Sequence, residues 1–176
     1  MIVAISKIAT RGLDRYPKKK DIQPTLDRYK IDYNLFKKQF AVYLGLVIRD
    51  RIQQAVKKQL VIGQPMSDKY KPLSKAYNDR KPKKTRDRYY ENTGWLIKHL
   101  KIWQEEDIIY IGYPEKTLHP SGVPAQDIIL WLEKGTKYIP ARPLFRPVFK
   151  FVTRHIDEYL ENFIKNYTSL ARLTRV

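Results

Sequence analysis

A proline-rich segment, residues 140–147, limits what the last third of the chain can form. It holds three prolines in eight residues. Each proline fixes φ at about −65° and lacks a backbone N–H, so the segment cannot be an interior helix or a central strand. It nevertheless carries the apolar side chains Leu144 and Phe145, which favour burial. We interpret it as a stiff, extended segment at which one protein surface docks on another.

Two stretches have the apolar spacing of amphipathic helices. Residues 34–61 repeat apolar side chains every three or four positions, with Asn34 as the candidate N-cap and Gly63 as the stop. Residues 147–170 show the same repeat. Their first turn holds Pro147, at a place where a missing backbone donor is tolerated. Two long helices are therefore predicted.

The region between these helices predicts a small sheet. Residues 101–103 and 108–112 have the composition of strands around a polar turn at 104–107, and a third strand is expected near Leu144. Residues 125–134 predict a short helix ended by a glycine. The fold class expected is α+β, with two long amphipathic helices packed on a small antiparallel sheet.

A chain of 176 residues normally forms one domain. Residues 1–33 have weak periodicity and are predicted as an N-terminal arm or extended segment, with a short strand at 2–8; the alternative is a flexible tail. Residues 34–176 are predicted as the single α+β domain. Within it, residues 63–92 form a long basic loop around a short helix at 73–79.

The net charge of +17 is the main anomaly of the composition. Residues 69–90 hold nine Lys or Arg against two Asp, a local charge of +7. Such an excess favours salt-dependent association with polyanions, and the interleaved tyrosines suit stacking on nucleic-acid bases. The alternatives are a subunit-contacting loop or a solvated basic surface. The candidate DNA- or partner-contacting residues are Lys81, Lys83, Lys84, Arg86 and Arg88.

The residue types needed for catalysis do not come together in the sequence. There is no cysteine, the three histidines are far apart, and seven glycines form no phosphate-binding loop. The carboxylates at 105–107 are explained by a turn. We expect no catalytic residue, no cofactor, no metal and no enzymatic activity. No stretch is long and apolar enough to span a bilayer and no signal peptide is recognisable, so the protein is expected to be cytoplasmic when made.

Several short motifs, in order, resemble one protein family. Glu-Lys-Gly-Thr at 133–136 precedes Pro-Ala-Arg-Pro at 140–143, followed by Arg-Pro and a C-terminal helix. Upstream, Pro-Leu-Ser at 72–74 precedes a basic stretch and Thr-Gly-Trp-Leu at 93–96. This order is similar to that of the tail-completion, or virion morphogenesis, proteins of tailed bacteriophages. The resemblance spans roughly residues 70–165.

The resemblance implies a structural virion protein without catalytic activity, located in the neck between the DNA-filled head and the tail. It implies a homo-oligomeric ring, with six copies expected. The expected partners are the head-side connector or adaptor proteins, the tail terminator or tail tube protein, and genomic DNA in the channel. Assembly would take place in the host cytoplasm, without a membrane. A basic nucleic-acid-binding module and a tail terminator ring of the same virion are the alternatives.

The residues of the proline segment and the turn before it are the candidate interface residues. Glu133 and Arg142 flank a turn, and an ion pair between them would brace that turn, bridge to a neighbouring subunit or form a local surface pair. Four apolar residues would form the apolar centre of the interface or belong to the core: Trp131, Leu144, Phe145 and Phe149. The residues expected at the subunit or partner interface are Glu133, Gly135, Thr136, Pro140, Arg142, Pro143, Leu144, Phe145 and Arg146.

Overall fold

Eight α-helices and two antiparallel two-stranded sheets make up the part of the chain that this computed structural model describes, residues 19–29, 32–90, 94–105 and 108–173. The fold class is α+β, as predicted. The helices are α1 (Lys19–Tyr29), α2 (Tyr33–Lys58), α3 (Met66–Lys69), α4 (Lys75–Arg80), α5 (Trp95–Lys98), α6 (Ala125–Lys134), α7 (Phe145–Arg154) and α8 (Ile156–Leu173). The strands are β1 (Leu60–Val61), β2 (Gln64–Pro65), β3 (Lys101–Glu105) and β4 (Ile108–Gly112), and Lys83–Thr85 forms a 3₁₀ turn.

Helix α2 organises the core, and its predicted apolar stripe is confirmed. Its buried side chains include Phe36, Phe40, Leu44, Ile48 and Ile52. The helix packs against α7, α8 and the β3–β4 hairpin. It also contacts α1, α5 and β1, so it links most elements of the described part of the chain.

The ends of α2 differ from the prediction. Asp32, rather than Asn34, caps the N-terminus, and its Oδ1 accepts a hydrogen bond of 2.8 Å from the backbone N–H of Leu35. The helix ends at Gln59, which has φ of 54°, instead of at Gly63. Gly63, with φ of +78°, and Ile62, with φ of 50°, form the two-residue turn between β1 and β2. The glycine is thus a hairpin signal and not a helix stop.

The predicted β3–β4 hairpin is confirmed, with a first strand two residues longer than expected. Gln104 and Glu105, expected in the turn, pair with Ile109 and Ile108 instead. The face of the hairpin that carries Ile109 lies so close to α2 that a Cβ on Gly45 would come within 3.0 Å of the Ile109 side chain. The glycine in α2 therefore permits a close approach of helix and hairpin. The rest of the predicted turn, 106–107, lies outside the described residues.

Three other predictions are wrong in part. Residues 19–29 are helix rather than extended arm, and Ile22 and Leu26 are buried; the expected strand at 2–8 lies outside the described residues. The C-terminal helix is divided at His155, whose Nδ1 lies 2.8 Å from the Phe151 carbonyl oxygen. The strand expected near Leu144 is also wrong, because Leu144 lies directly before α7 and is not part of a strand.

Candidate functional site

The C-terminal end of α6 and the N-terminal end of α7 are joined by the carboxylate of Glu133. Its Oε1 accepts hydrogen bonds from the backbone N–H groups of Leu144 (2.5 Å) and Phe145 (2.8 Å), and its Oε2 accepts one from Arg146 (3.3 Å). No residue of α7 provides a side-chain cap. A side chain eleven residues upstream therefore caps the helix and places a negative charge at its positive end.

The turn between Glu133 and the proline segment is closed by local hydrogen bonds. Gly135 has φ of +77°, and its N–H donates to the Trp131 carbonyl oxygen at 2.8 Å. The Thr136 hydroxyl oxygen accepts from the N–H of Tyr138 (3.2 Å) and that of Ile139 (3.0 Å). The glycine predicted to end this helix is confirmed, and the N–H of Arg142 donates to the Leu132 carbonyl oxygen at 2.7 Å, which holds the proline segment against α6.

Arg142 is buried, with 7% of its surface exposed, and does not take the partner expected for it. Its Nη2 lies 3.5 Å from the Lys71 carbonyl oxygen, its guanidinium carbon is 5.5 Å from the centre of the Tyr89 ring, and its Nε has no hydrogen-bond partner. Glu133 is occupied by the backbone of α7. The two side chains therefore have different partners, and the expected ion pair is not what braces this turn.

Several residues expected at an interface belong to the protein's own core. Leu144 and Phe145 are 0% and 3% exposed, and Phe149 is 3% exposed. The Pro143 carbonyl oxygen accepts a hydrogen bond from the Tyr70 hydroxyl. Leu144 and Phe145 are therefore buried inside the chain and are not available for contacts with another chain. The segment is also not extended throughout, since residues 145–147 form the first turn of α7.

A group of buried tyrosines surrounds the Glu133 carboxylate. Burial raises the pKa of Tyr90 far above its ordinary value, and Glu133, 3.5 Å from its hydroxyl, raises the pKa further. Burial, with a contribution from Glu133, also raises the pKa of Tyr70. Both hydroxyls therefore stay protonated and serve as hydrogen-bond donors throughout the physiological pH range.

The basic loop is packed, and only part of its charge faces solvent. Lys81 is 4% exposed and its Nζ donates to the Arg88 carbonyl oxygen; the Arg88 guanidinium donates to the Lys57 carbonyl oxygen at 2.9 Å, at the end of α2. Both were expected to be free for a polyanion, and both instead hold the loop on the domain. Lys83, Lys84 and Arg86 are exposed. The short helix predicted inside the loop is confirmed as α4, capped by the Ser74 hydroxyl.

A cleft of about 450 Å³ lies between this loop, α5, α6 and the proline segment. Its walls include aliphatic side chains such as Leu73, Ile128 and Ile139, and three of its aromatic residues are 39% exposed or more, Trp131, Tyr77 and Tyr138. Three cationic residues also line it: Lys81, Arg88 and Arg142. The sequence analysis named Trp131, Arg142 and the basic loop as candidate contact residues, but it did not indicate that they line one cleft. Segments that are far apart in the chain form the cleft, and no spacing in the sequence links them.

A second exposed apolar surface lies on α2. Leu35, Val42 and Leu46 are 50%, 37% and 43% exposed. They follow one another by seven and four residues, which places them on one side of the helix, away from the buried stripe. We call them the outer stripe of α2. The helical spacing of these three residues was present in the sequence. The sequence analysis did not separate them from the larger apolar repeat of the same helix.

The described histidines take structural contacts. The His99 ring stacks on Trp95 at 4.3 Å, and the His119 ring lies nearly perpendicular to the same indole, 5.1 Å away. Within the described part of the chain, no three His, Asp or Glu side chains come together as a metal site. The helices that the structure describes are each too short or too polar to cross a bilayer.

Comparisons with known proteins found no match. No protein-family model matches the chain, and neither a curated protein nor a solved structure shows significant similarity to it.

Proposed function

We propose that this chain is a structural protein of the neck of a tailed bacteriophage, where a ring of its copies joins the DNA-filled head to the tail. The order of motifs between residues 70 and 165 supports the family. The observation that carries the assembly role is the outer stripe of α2. Apolar side chains exposed together on one side of a helix mark an interaction site, and here the described domain covers only the opposite side of α2.

A ring requires heterologous contacts, in which one surface of a subunit meets a different surface of the next. The described part of the chain has two unlike apolar surfaces, the outer stripe of α2 and the aromatic rim of the cleft. We assign the outer stripe to the contact between neighbouring copies. The expected number of copies is six, and the connector or adaptor on one face and the tail terminator or tail tube on the other remain the proposed partners.

The oligomeric state of the purified protein tests the ring. Native mass spectrometry and negative-stain microscopy are expected to show a closed ring that Leu46→Asp converts to monomer, because a charge in an apolar contact is strongly unfavourable. Gln54→Asp, at another exposed position of α2, is the control and should leave the ring intact. A monomer at every concentration, or a ring unaffected by Leu46→Asp, would refute the assignment of the outer stripe.

The role in the virion is tested by a stop codon in the gene of the phage that encodes the protein. Electron microscopy is expected to show filled heads and finished tails that do not join. Complementation with the unaltered gene should restore virions, and complementation with Leu46→Asp should not. Intact virions in the absence of the protein would refute the neck role.

The alternative of a nucleic-acid-binding module rests on the exposed Lys83, Lys84 and Arg86. These three residues are adjacent on the surface of a packed loop, a suitable place for phosphate contacts. Sub-micromolar binding to DNA at physiological salt, without ring formation, would favour this alternative over the neck role.

A further inference from the structure

We infer that the cleft between α4, α6 and the proline segment is the docking site for a segment of another virion protein that carries an aromatic or branched aliphatic side chain next to a carboxylate. This rests on the proposed neck function, because it names the chemistry of a partner that the neck protein would bind. The site is distinct from the outer stripe of α2, which we assign to contacts between copies.

The size and walls of the cleft fit an apolar side chain. A volume of about 450 Å³ is within the range of sites that enclose small ligands, and it holds one or two large side chains. Leu73, Ile128, Leu132 and Ile139 give it aliphatic walls. The exposed ring of Trp131 lies at the rim, the kind of residue that commonly dominates binding energy at protein interfaces.

The charge of the cleft selects an acidic segment. Lys81, Arg88 and Arg142 line it, and no Asp or Glu is among the described residues that do. The described lining of the cleft therefore carries a net positive charge, which favours an acidic segment over a basic one.

Arg142 supplies an independent observation. It is buried, yet its Nε has no hydrogen-bond partner and its Nη2 makes one long contact of 3.5 Å. A buried guanidinium is stabilised by bidentate contact with a carboxylate, and the carboxylate of Glu133 is committed to the backbone of α7. Among the described residues, no carboxylate contacts the Arg142 guanidinium, so this buried cation can pair with a carboxylate supplied by a partner.

A matched pair of small probes tests this chemistry directly. 3-Phenylpropionate joins an aromatic ring to a carboxylate, and 3-phenylpropionamide differs only in lacking the charge. The readout is the indole N–H signals of the three tryptophans in two-dimensional NMR spectra of the full chain. Trp95 and Trp131 line the cleft, whereas Trp103 lies on the hairpin, stacked on Tyr110 at 5.3 Å, and serves as the internal control.

The expected result is that 3-phenylpropionate shifts the Trp95 and Trp131 signals and leaves that of Trp103 in place. The amide should bind at least about fivefold more weakly, since it loses the charge-assisted hydrogen bonds. Equal binding of acid and amide, shifts at all three tryptophans, or no shift at either cleft tryptophan would overturn the proposal. A dT12 oligonucleotide that binds the cleft more tightly than 3-phenylpropionate would also overturn it, in favour of nucleic acid.

Substitutions locate the site. Trp131→Ala should weaken binding of 3-phenylpropionate at least about threefold, because it removes apolar contact area. Leu118→Ala, at a side chain that is 56% exposed and outside the cleft, should not. Arg142→Gln should abolish the preference for acid over amide. The urea midpoint shows whether this variant is folded, and Trp131→Ala provides the test if it is not. Binding of 3-phenylpropionate by Trp131→Ala with wild-type affinity would overturn the proposal. If the ring forms and 3-phenylpropionate fails to bind, only this inference falls.

Discussion

The carboxylate of Glu133 lies at the N-terminus of α7, where it accepts a hydrogen bond of 2.8 Å from the backbone N–H of Phe145. The same carboxylate binds the N–H groups of Leu144 and Arg146, while the third residue of the helix is a proline and has no donor to satisfy. One side chain thus satisfies the free donors of the first turn. The Glu133 side chain also links the end of α6 to the start of α7.

Glu133→Ala is expected to destabilise the fold by about 2 kcal/mol, because buried donors lose a charged acceptor. Glu133→Gln keeps an acceptor oxygen but loses the charge and should cost about half as much. Urea unfolding followed by circular dichroism measures both. Glu115→Ala, at an exposed position, is the control and should change the free energy of unfolding by less than about 0.5 kcal/mol. Equal effects at the two positions would contradict the capping role.

Gly135 and Gly63 form a matched pair for testing the turn. Their φ angles are similar, +77° and +78°, but Gly135 has ψ of 173°, a backbone region that essentially only glycine adopts. A Cβ on Gly135 would also lie 2.7 Å from the backbone nitrogen of Ala141, whereas a Cβ on Gly63 would meet nothing within 4 Å. Gly63→Ala should therefore cost about 1 kcal/mol for its positive φ. Gly135→Ala should cost at least about 2 kcal/mol, because both its backbone conformation and the close approach of Ala141 oppose a side chain. Similar unfolding midpoints for the two variants would show that the close approach is relieved without cost.

Local signals in the sequence predicted most of the fold. The apolar repeat of α2, the short helix α6 with Gly135 after it, and the β3–β4 hairpin follow from spacing and turn chemistry within a few residues. Helix α1 was missed because Pro24 lies inside it and suggests a break, while the only helical signal was the pair Ile22 and Leu26. The α+β class was predictable because it depends on these local patterns.

The candidate site was predicted less well, because partners in space are not encoded by spacing. The sequence singled out Glu133 and Arg142, yet Glu133 binds the backbone of α7, and Arg142 is buried over Tyr89. Basic composition likewise suggested that Lys81 is solvated, whereas it is 4% exposed. In each case the sequence identifies a charged residue, but its partner is set by a tertiary contact that the sequence does not reveal.

Tyr113 predicts how stability depends on alkaline pH. Its side chain is 3% exposed, its hydroxyl donates to the Leu96 carbonyl oxygen, and burial raises its pKa above the ordinary value of 10.0. Because the folded state holds this proton more tightly than the unfolded state, the stabilisation is complete below pH 10 and is lost as the pH rises above it. Tyr70 and Tyr90 act in the same direction.

The measurement is urea unfolding between pH 8 and pH 11. Tyr113→Phe should lower the free energy of unfolding by about 1 kcal/mol at pH 8, through the lost hydrogen bond. Above pH 10 it should make the decline shallower by up to about 1.4 kcal/mol per pH unit. Tyr138→Phe, which removes a hydroxyl from a residue that is 85% exposed, should follow the wild-type curve. An unchanged slope in Tyr113→Phe would contradict the assignment.

The exposed part of the basic loop predicts how DNA binding depends on salt. Replacing Lys83, Lys84 and Arg86 together by alanine lowers the net charge from +17 to +14. If these three residues contact phosphates, the slope of log affinity against log salt should become shallower by about 2 to 3 units, since each contact releases roughly one counterion. Fluorescence anisotropy with a labelled duplex at several salt concentrations measures the slope.

The control for this measurement changes the same charge elsewhere. Replacing Lys98, Lys116 and Lys150 by alanine also gives +14, at exposed positions outside the loop. Because screening confines electrostatic contacts to about 10 Å at ordinary ionic strength, this variant should change the slope by less than one unit. Equal changes in the two variants would mean that DNA responds to the overall charge of the protein. A change confined to the loop variant would place Lys83, Lys84 and Arg86 against the phosphates.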